Sequence, residues 1–331
     1  MRVPFETLSG LMRGKLLARG VQEPIAADAA RMLAENSLDG VHSHGANRFP
    51  RLISYLDKGY VRPACRPKLV GAVGALEQWD GQLGMGNTNA AFCMGRAVEL
   101  AALHGIGCAA LRNTNHWMRG GTYGIQAAKA GCAGICWTNT QPNMPAWGAR
   151  DRRVGNNPLV LCVPRGDSFV LIDGAMSQFS YGAIEAARMA GRELPVPGGF
   201  DRDGRETRDP AAIEETWRVM PIGYWKGSGF SMLLDMIAAG LSGGNTVGDV
   251  GRLGGDEYAL SQVFIAIDLR GAAPGSEAAV EAVIRDVKAS LPADDGVEVR
   301  YPSERTLRVR RNGLERGIPV DDAVWAAIQA L

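Results

Sequence analysis

The sequence has almost no net charge, because 36 lysine and arginine residues are balanced by 35 aspartate and glutamate residues, which leaves +1. A nucleic-acid-binding chain needs a clustered excess of basic residues, so this balance argues against a nucleic-acid partner. Paired cysteines are missing too, since the six cysteines include no Cys-x-x-Cys pair and no regular spacing. This pattern predicts reduced thiols and a cytoplasmic protein.

The sequence also contains no evident targeting or membrane segment. Glu6, Arg13 and Lys15 interrupt the N-terminal residues, so no signal peptide is predicted. One uncharged stretch, 130–149, is long enough to span a bilayer, but it contains asparagine, glutamine and proline residues. Hydrocarbon would leave their polar groups unsatisfied, and we therefore predict no membrane association.

Several familiar motifs do not occur in the chain. There is no G-x-G-x-x-G, no G-x-x-x-x-G-K-[ST], no G-x-S-x-G and no H-E-x-x-H. Gly81, Gly84 and Gly86 form the nearest glycine cluster, but their spacing differs and no strand is predicted before them. A standard dinucleotide-binding fold is therefore unsupported, whereas a nicotinamide cofactor bound in another way is compatible with the sequence.

Apolar residues and glycine are abundant, with 46% hydrophobic residues and 43 glycines among 331. The length suggests two domains, or one large domain with an insertion. Helices are predicted at 4–38 (two of them), 88–104, 121–129, 177–188, 228–241, 276–290 and 321–331, and strands at 106–111, 134–137, 159–163, 169–172 and 262–269. Residues 62–68 are predicted to be a linker or edge segment and 193–212 a polar loop. The alternation favours an α/β fold.

His44, Arg48 and His116 are the strongest candidates for chemistry, because all three lie in polar, glycine-flanked segments. If residues 44–50 are helical, His44 and Arg48 share one face. An arginine offers a fork for a carboxylate, and a histidine exchanges protons near neutral pH. The pair suits a small 2-oxo or 2-hydroxy acid. A surface arginine and a buried structural histidine are the alternative.

Lys226 is a second candidate, in the segment Gly223-Tyr224-Trp225-Lys226-Gly227-Ser228-Gly229 that opens an apolar helix. Small residues there expose backbone N–H groups, which attract phosphate at a helix start. A solvated lysine in a glycine-rich loop explains the same residues.

Two other kinds of protein are compatible with parts of the pattern. His42 and His44 form an H-x-H pair that can hold a divalent ion in a hydrolase, but the chain has only two further histidines. A carbohydrate-acid binding protein without catalysis is the other alternative. The interpretation of His44 and Arg48 as a site for a 2-oxo or 2-hydroxy acid predicts no metal.

Several long segments resemble the type 2 malate/L-lactate dehydrogenase family, from residue 2 to the C-terminus. The matching segments are Ser43-His44-Gly45 with Arg48, Asn115-His116-Trp117-Met118-Arg119-Gly120-Gly121, Gly134-Ile135-Cys136-Trp137-Thr138-Asn139, Phe179-Ser180-Tyr181-Gly182, the Lys226 segment, and Ser261-Gln262 before Phe264-Ile265-Ala266-Ile267. Their length and unusual composition make a chance match implausible.

The resemblance implies an NAD(P)-dependent oxidoreductase that works as a homodimer on a small 2-oxo acid. It implies a non-Rossmann, mixed-sheet α/β fold, with a helical N-terminal region 1–68 that packs with the C-terminal segment, a core 69–300 and a C-terminal cofactor loop and helix 301–331. The substrate expected from the resemblance is 2,3-diketo-L-gulonate, reduced to 3-keto-L-gulonate, with malate, L-lactate and ureidoglycolate dehydrogenase activities as alternatives. NADH is favoured over NADPH.

The resemblance also assigns roles to residues. His44 is implied to be the proton donor, and Ser43, Arg48 and His116 to line the substrate pocket. The implied cofactor-binding residues are Phe169, Val170, Leu171, Ile172, Asp173, Gly174, Ala175, Trp225, Lys226, Ser303, Glu304 and Arg305. Asp173 would offer its carboxylate to ribose hydroxyls or hold the nearby acid in place, and Lys226 would meet a diphosphate.

Some positions depart from the pattern of the family. His42 replaces a tyrosine, Asn156 a threonine and Ser303 a glycine, while Gly174 and Ala175 replace bulkier or hydroxyl residues. These changes bear on cofactor preference and on the environment of His44.

Overall fold

A computed structural model describes residues 1–273 and 275–331. The α-helices are α1 (Phe5–Leu17), α2 (Ile25–Leu38), α3 (Phe49–Asp57), α4 (Gly86–His104), α5 (Gly121–Lys129), α6 (Tyr181–Met189), α7 (Pro210–Thr216), α8 (Trp225–Ser242), α9 (Val247–Arg252), α10 (Leu269–Ala272), α11 (Ser276–Lys288), α12 (Glu304–Arg316) and α13 (Asp322–Ala330). The strands are β1 (Arg2–Val3), β2 (Lys68–Val73), β3 (Leu76–Asp80), β4 (Ile106–Thr114), β5 (Cys132–Thr138), β6 (Met144–Pro145), β7 (Arg152–Val154), β8 (Leu159–Arg165), β9 (Ser168–Gly174), β10 (Gly199–Phe200), β11 (Glu206–Thr207), β12 (Leu260–Asp268) and β13 (Ile318–Pro319).

The described residues form a seven-stranded mixed sheet with the order β2-β3-β4-β12-β5-β8-β9. Strands β3 and β4 are parallel, and the other neighbours run antiparallel. A Rossmann sheet is mostly parallel, so the predicted non-Rossmann, mixed-sheet α/β fold is confirmed.

Helices cover both faces of this sheet. On one face α4 and α5 pack against β4, β12, β5 and β8 around Phe264 and Cys136. On the other face α8 packs Leu234 and Ala238 against Trp137 and Val263. Because successive strand residues point to opposite faces, the uninterrupted apolar run in β12 supplies both cores.

A separate helical core lies beside the sheet. In α1 the buried residues Leu8, Met12 and Leu16 follow one another at four-residue spacing and pack against α2. This core also includes residues of α3 and α13, and β1 pairs antiparallel with β13. The two ends of the chain therefore meet beside the N-terminal helices.

The condition that residues 44–50 form one helix is not met in the structure. Residues His42–His44 and Ala46–Arg48 form two separate 3₁₀ turns, and the α-helix begins only at Phe49. Gly45 separates the turns because it packs tightly on α2, where an added Cβ would lie 2.1 Å from Ser37 Oγ. His44 and Arg48 are therefore positioned by this contact and not by one helical face.

The glycine cluster at 81–86 also differs from the prediction, because β3 leads directly into Gly81 and α4 begins at Gly86. Strand β3, α4 and the parallel β4 thus form a βαβ unit. An added Cβ on Gly86 would lie 2.3 Å from the carbonyl oxygen of His116. This glycine is needed for close packing behind a site residue.

Other boundaries differ in smaller ways. Lys68, predicted to end a linker, begins β2, and the predicted polar loop 193–212 includes the β10–β11 hairpin and the start of α7. The helix predicted from 177 begins at Tyr181, because Ser180 caps its N-terminus by accepting a hydrogen bond from the N–H of Ala183. Helix α12 was not predicted, since its sequence is strongly basic and has few apolar residues.

Candidate active site

His44 ends the first 3₁₀ turn and is held by α2. The side chain of Asn36 donates a hydrogen bond to the carbonyl oxygen of His44 at 2.9 Å, and the N–H of Ala46 donates to Ser37 Oγ at 2.8 Å. Ser43 Oγ lies 2.9 Å from Nδ1 of His44. The hydroxyl group of Ser43 therefore fixes the imidazole through Nδ1 and leaves Nε2 for another partner.

His116 follows β4 in a strained turn. Met118 has φ +67°, in the left-handed region that non-glycine residues seldom adopt, and its N–H donates to His116 Nδ1 at 3.0 Å. Because Nδ1 accepts this bond, the neutral imidazole carries its hydrogen on Nε2. The rings of His44 and His116 stack with centroids 5.8 Å apart and an interplanar angle of 21°.

Arg48 is near this histidine pair. It lines a small enclosed cavity together with His116; the other lining residues are Arg51, Leu52, Tyr55, Val61, Asn115 and Met118. Within the described residues, no carboxylate oxygen lies within 4.0 Å of its guanidinium nitrogens. Its fork of donors is therefore available to a carboxylate ligand.

Burial and positive charge keep both imidazoles neutral near pH 7. Burial, followed by the charges of Arg48 and Arg119, lowers the pKa of His44 to about 4. Burial and the charge of Arg48 hold the pKa of His116 well below its usual value. An anion bound to Arg48 would offset one of these charges, so it would raise the pKa of His44.

Near His44 lies a buried ion-pair network that sequence reasoning missed. Arg119, 5% exposed, forms an ion pair with Asp39, and Arg310 bonds the other Asp39 oxygen at 2.7 Å. The Nε atom of Arg119 is also 4.0 Å from Asp173 Oδ2. The network thus links α2, the segment before α5, the end of β9 and α12, and no sequence spacing indicated this pairing.

Asp173 accepts a hydrogen bond from the backbone N–H of Gly121 at 2.7 Å. Its side chain is 23% exposed, and burial raises its pKa while the Gly121 N–H and Arg119 lower it. One carboxylate oxygen is therefore used within the protein.

Two of the predicted cofactor segments lie side by side. Ser303 Oγ accepts a hydrogen bond from the N–H of Leu171 and donates one to the carbonyl of Phe169, each at 3.2 Å. Ser303 has φ +74°, in the left-handed region that glycine adopts without steric cost. Glu304 and Arg305 follow at the start of α12, with Arg305 exposed.

The side chains of β9 alternate between core and surface. Phe169 and Leu171 are buried in the sheet core, whereas Ile172 is 54% exposed and Val170 is half-buried. Phe169 and Leu171 can therefore meet a cofactor only through their backbone. Gly174 and Ala175 complete the segment at the end of the strand and are also half-buried.

The third predicted cofactor segment, Trp225 and Lys226, also lies beside the end of β9. The N–H of Ile222 donates to the carbonyl of Met176 at 2.8 Å, and an added Cβ on Gly227 would lie 2.7 Å from the same oxygen. Trp225 and Lys226 are both exposed. The structure therefore brings all three predicted segments to one region.

Glu257 is a further functional candidate that sequence reasoning missed. The residue is 7% exposed, and its Oε1 lies 4.0 Å from His116 Nε2. Burial raises the pKa of Glu257, while Arg48 and the Gln141 N–H lower it. The available signal was an acidic pair, Asp256-Glu257, in a glycine-rich loop before a buried strand, which is typical of many surface loops.

His42 lies in the same turn as His44, and its pKa is lowered by burial. In the part of the chain that the structure describes, no three His, Cys, Asp or Glu side chains are grouped as a metal ion would require. The H-x-H alternative therefore gains no further ligand.

Among the residues that the structure describes, no helix is both long and apolar enough to cross a membrane.

The fold and its relatives define the chain as an α/β oxidoreductase. More particularly, it belongs to the malate/L-lactate dehydrogenase family, whose model matches residues 3–329. The predicted family is thus confirmed. Membership implies a nicotinamide cofactor in general and a small-molecule substrate.

Individual relatives cover the whole chain. The chain is 49% identical to a 2,3-diketo-L-gulonate reductase of Citrobacter koseri and 47% identical to one of Salmonella typhimurium, over 100% of both chains in each comparison. Among solved structures, the sulfolactate dehydrogenase of Methanocaldococcus jannaschii superposes with a TM-score of 0.92 and 28% identity, covering 100% of this chain and 96% of that one.

Proposed function

We propose that this enzyme reduces 2,3-diketo-L-gulonate to 3-keto-L-gulonate with a reduced nicotinamide cofactor. The observation that carries the proposal is the stacked pair of His44 and His116, 5.8 Å apart, near an arginine with free donors. Full-length relatives at 47–49% identity bear the name of this reductase. The names of these relatives favour this reaction over malate, L-lactate or ureidoglycolate dehydrogenation.

Arg48, His116 and His44 have different roles in substrate binding and proton transfer. Arg48 binds the substrate carboxylate with its guanidinium fork. His116 donates a hydrogen bond from Nε2 to a substrate oxygen. His44, oriented by Ser43, donates the proton that the C2 oxygen needs when the carbonyl is reduced.

The protonation of His44 depends on the substrate in this mechanism. In the free enzyme its imidazole is neutral near pH 7, because its pKa is lowered to about 4. A carboxylate on Arg48 weakens the repulsion that opposes a charged imidazole. Substrate binding therefore favours protonation of His44, the proton donor.

The three predicted cofactor segments (169–175, 225–226 and 303–305), called the cofactor region below, fit a dinucleotide. Lys226 and Arg305 are exposed cations at the starts of α8 and α12, whose first N–H groups also favour phosphate. These residues would hold the diphosphate of the cofactor, which when bound would supply the hydride for the substrate carbonyl. We propose NADH over NADPH, because the carboxylate of Asp173, which uses one oxygen to accept the Gly121 N–H, would repel a 2′-phosphate.

We further propose that the enzyme is a homodimer joined through α8. Apolar side chains on this helix are exposed in the single chain, namely Phe230 at 57%, Leu233 at 57%, Met236 at 59% and Ile237 at 45%. Such patches mark protein interfaces.

The six cysteine thiols are free and four are buried, which supports the cytoplasm as the compartment.

An assay that follows oxidation of the reduced cofactor by the purified enzyme tests this function. NADH or NADPH is supplied with 2,3-diketo-L-gulonate, pyruvate or oxaloacetate, and loss of reduced cofactor is followed by absorbance. We expect the highest kcat/KM with NADH and 2,3-diketo-L-gulonate. Absence of turnover with every 2-oxo acid would overturn the proposal, and sedimentation analysis of the same protein tests the dimer.

A further inference from the structure

Asn36 is a buried polar residue near the C-terminal end of α2. It is 1% exposed, and Met32 and Leu33, one turn earlier in the helix, are buried as well. A buried amide costs free energy unless its donor and its acceptor both find partners. The partners of Asn36 therefore show what the residue holds together.

Both ends of the Asn36 amide are used, and they are used by different elements. Nδ2 donates a hydrogen bond to the carbonyl oxygen of His44 at 2.9 Å. Oδ1 accepts a hydrogen bond from the hydroxyl group of Thr122 at 2.9 Å, and Thr122 is in the first turn of α5. The amide therefore joins the 3₁₀ turn of the proposed proton donor to the start of α5.

The start of α5 is also bonded to the strand that is predicted to bind the cofactor. The N–H of Gly121 donates to Asp173 Oδ2 at 2.7 Å, and an added Cβ on Gly121 would lie 3.0 Å from Leu171 Cδ2. Gly121 and Thr122 are successive residues, so one turn of α5 is bonded to the end of β9 on one side and to Asn36 on the other.

This connection fixes His44 in a way that the bond to its imidazole does not. Ser43 Oγ lies 2.9 Å from Nδ1 of His44, but Ser43 belongs to the same turn and moves with it. Asn36 instead holds the backbone of His44 relative to α5 and β9. When a carbonyl group is reduced, its carbon receives the hydride and its oxygen the proton, so the two donors need a fixed separation.

We propose that Asn36 is a positioning residue for this reduction: by joining the His44 carbonyl to the first turn of α5, it fixes the proton donor relative to the end of the cofactor strand. This inference rests on the reductase function proposed above. Because Asn36 is buried and acts through the backbone of His44, the chemical step should depend on it more than substrate binding does.

The variant Asn36→Ala removes both hydrogen bonds of the amide. In a single-turnover experiment, enzyme loaded with one equivalent of NADH is mixed with saturating 2,3-diketo-L-gulonate, and the loss of NADH absorbance is followed. We expect the rate constant to fall about tenfold to a hundredfold, because a displacement of about 1 Å can cost that much, while KM for the 2-oxo acid changes little.

The amplitude of the same experiment separates this role from a merely structural one. The amplitude counts the active enzyme, whereas the rate constant reports the chemical step. A variant with a smaller amplitude and an unaltered rate constant would overturn the inference, because Asn36 would then contribute only to folding.

Thr122→Val tests whether α5 takes part. It removes the hydroxyl group that bonds Asn36 and keeps the size of the side chain. Since both variants break the same connection, Asn36→Ala should slow the reaction about threefold less in the Thr122→Val background than in the unaltered enzyme. Independent effects would contradict a connection through α5.

Asn87→Ala is the matched control. Asn87 is also 1% exposed, and it donates to another carbonyl of α2, that of Ala29, at 3.2 Å. Within the described chain, its side chain forms no hydrogen bond with the His44 turn or with α5. We expect the rate constant of the unaltered enzyme, and an equal fall in both variants would show a general effect of removing a buried amide and overturn the assignment.

The unaltered enzyme separates this inference from the function on which it rests. Absence of turnover with every 2-oxo acid would overturn the reductase function and this inference with it. Turnover that neither Asn36→Ala nor Thr122→Val slows would overturn this inference alone.

Discussion

The proposed catalytic centre and the proposed cofactor region hold their polar and charged groups in different ways. His44, His116 and Glu257 are each held by a short contact with a neighbouring group. Lys226 and Arg305 are exposed, and neither forms an ion pair within the described chain. Reacting groups need exact positions and a low dielectric constant, whereas diphosphate recognition can use exposed cations at helix starts.

His44→Ala tests the first half of this comparison and should have the largest effect. We expect kcat to fall by about two to four orders of magnitude, because a positioned general acid contributes that much. His42→Ala is the control, since His42 belongs to the same 3₁₀ turn but has no role in the mechanism. A His44→Ala enzyme that keeps most of its steady-state activity would exclude the proton-donor role.

Asp39→Asn tests the buried network near His44. Arg119 would lose its ion-pair partner, and we expect the free energy of unfolding to fall by about 3–5 kcal/mol in urea titrations. Asp57→Asn provides the exposed counterpart, because Asp57 bonds Arg19 at 3.0 Å with 56% of its side chain exposed. That variant should lose less than about 1 kcal/mol, and equal losses would show that burial of the Asp39 network adds nothing.

Arg48→Lys tests the carboxylate anchor. Lysine keeps the charge but lacks the planar fork, so KM for the 2-oxo acid should rise about tenfold while kcat changes less. Steady-state kinetics separate the two constants. An unchanged KM would count against carboxylate binding by Arg48.

The pH dependence of the reaction tests how substrate and proton donor are coupled. kcat/KM reports the free enzyme and kcat the substrate complex. Because the pKa of free His44 is lowered to about 4, kcat/KM for reduction should decline as pH rises above that value. The decline in kcat should occur at higher pH, since a carboxylate on Arg48 raises the pKa of His44, and coincident declines would contradict the coupling.

Lys226→Ala tests the exposed half of the comparison and should have the smallest effect. Exposed charge pairs contribute about 0–1 kcal/mol, so we expect KM for NADH to rise no more than about fivefold. Lys129→Ala, at the exposed end of α5, should leave this KM unchanged. A larger rise for Lys226→Ala than for Arg48→Lys would reverse the proposed contrast between the regions.

The family and the main elements of the fold were accessible from the sequence. Helix α5 was predicted with its observed bounds, 121–129, because apolar spacing and flanking glycine are local signals. The central strands were predicted slightly short, since strand ends carry polar residues such as Asn113 and Thr114 in β4. Helix α12 was missed because its place depends on contacts with Asp39 and β9.

The sequence by itself determined the α/β class, the family and the candidates His44, Arg48 and His116, because these depend on local order along the chain. Only the tertiary structure placed Glu257 beside His116 and Arg119 between Asp39 and Asp173, since the residues in each contact are far apart in the chain. The tautomer of His116 likewise depends on a backbone N–H presented by a strained turn. Burial and charge acting through space are properties of the folded chain.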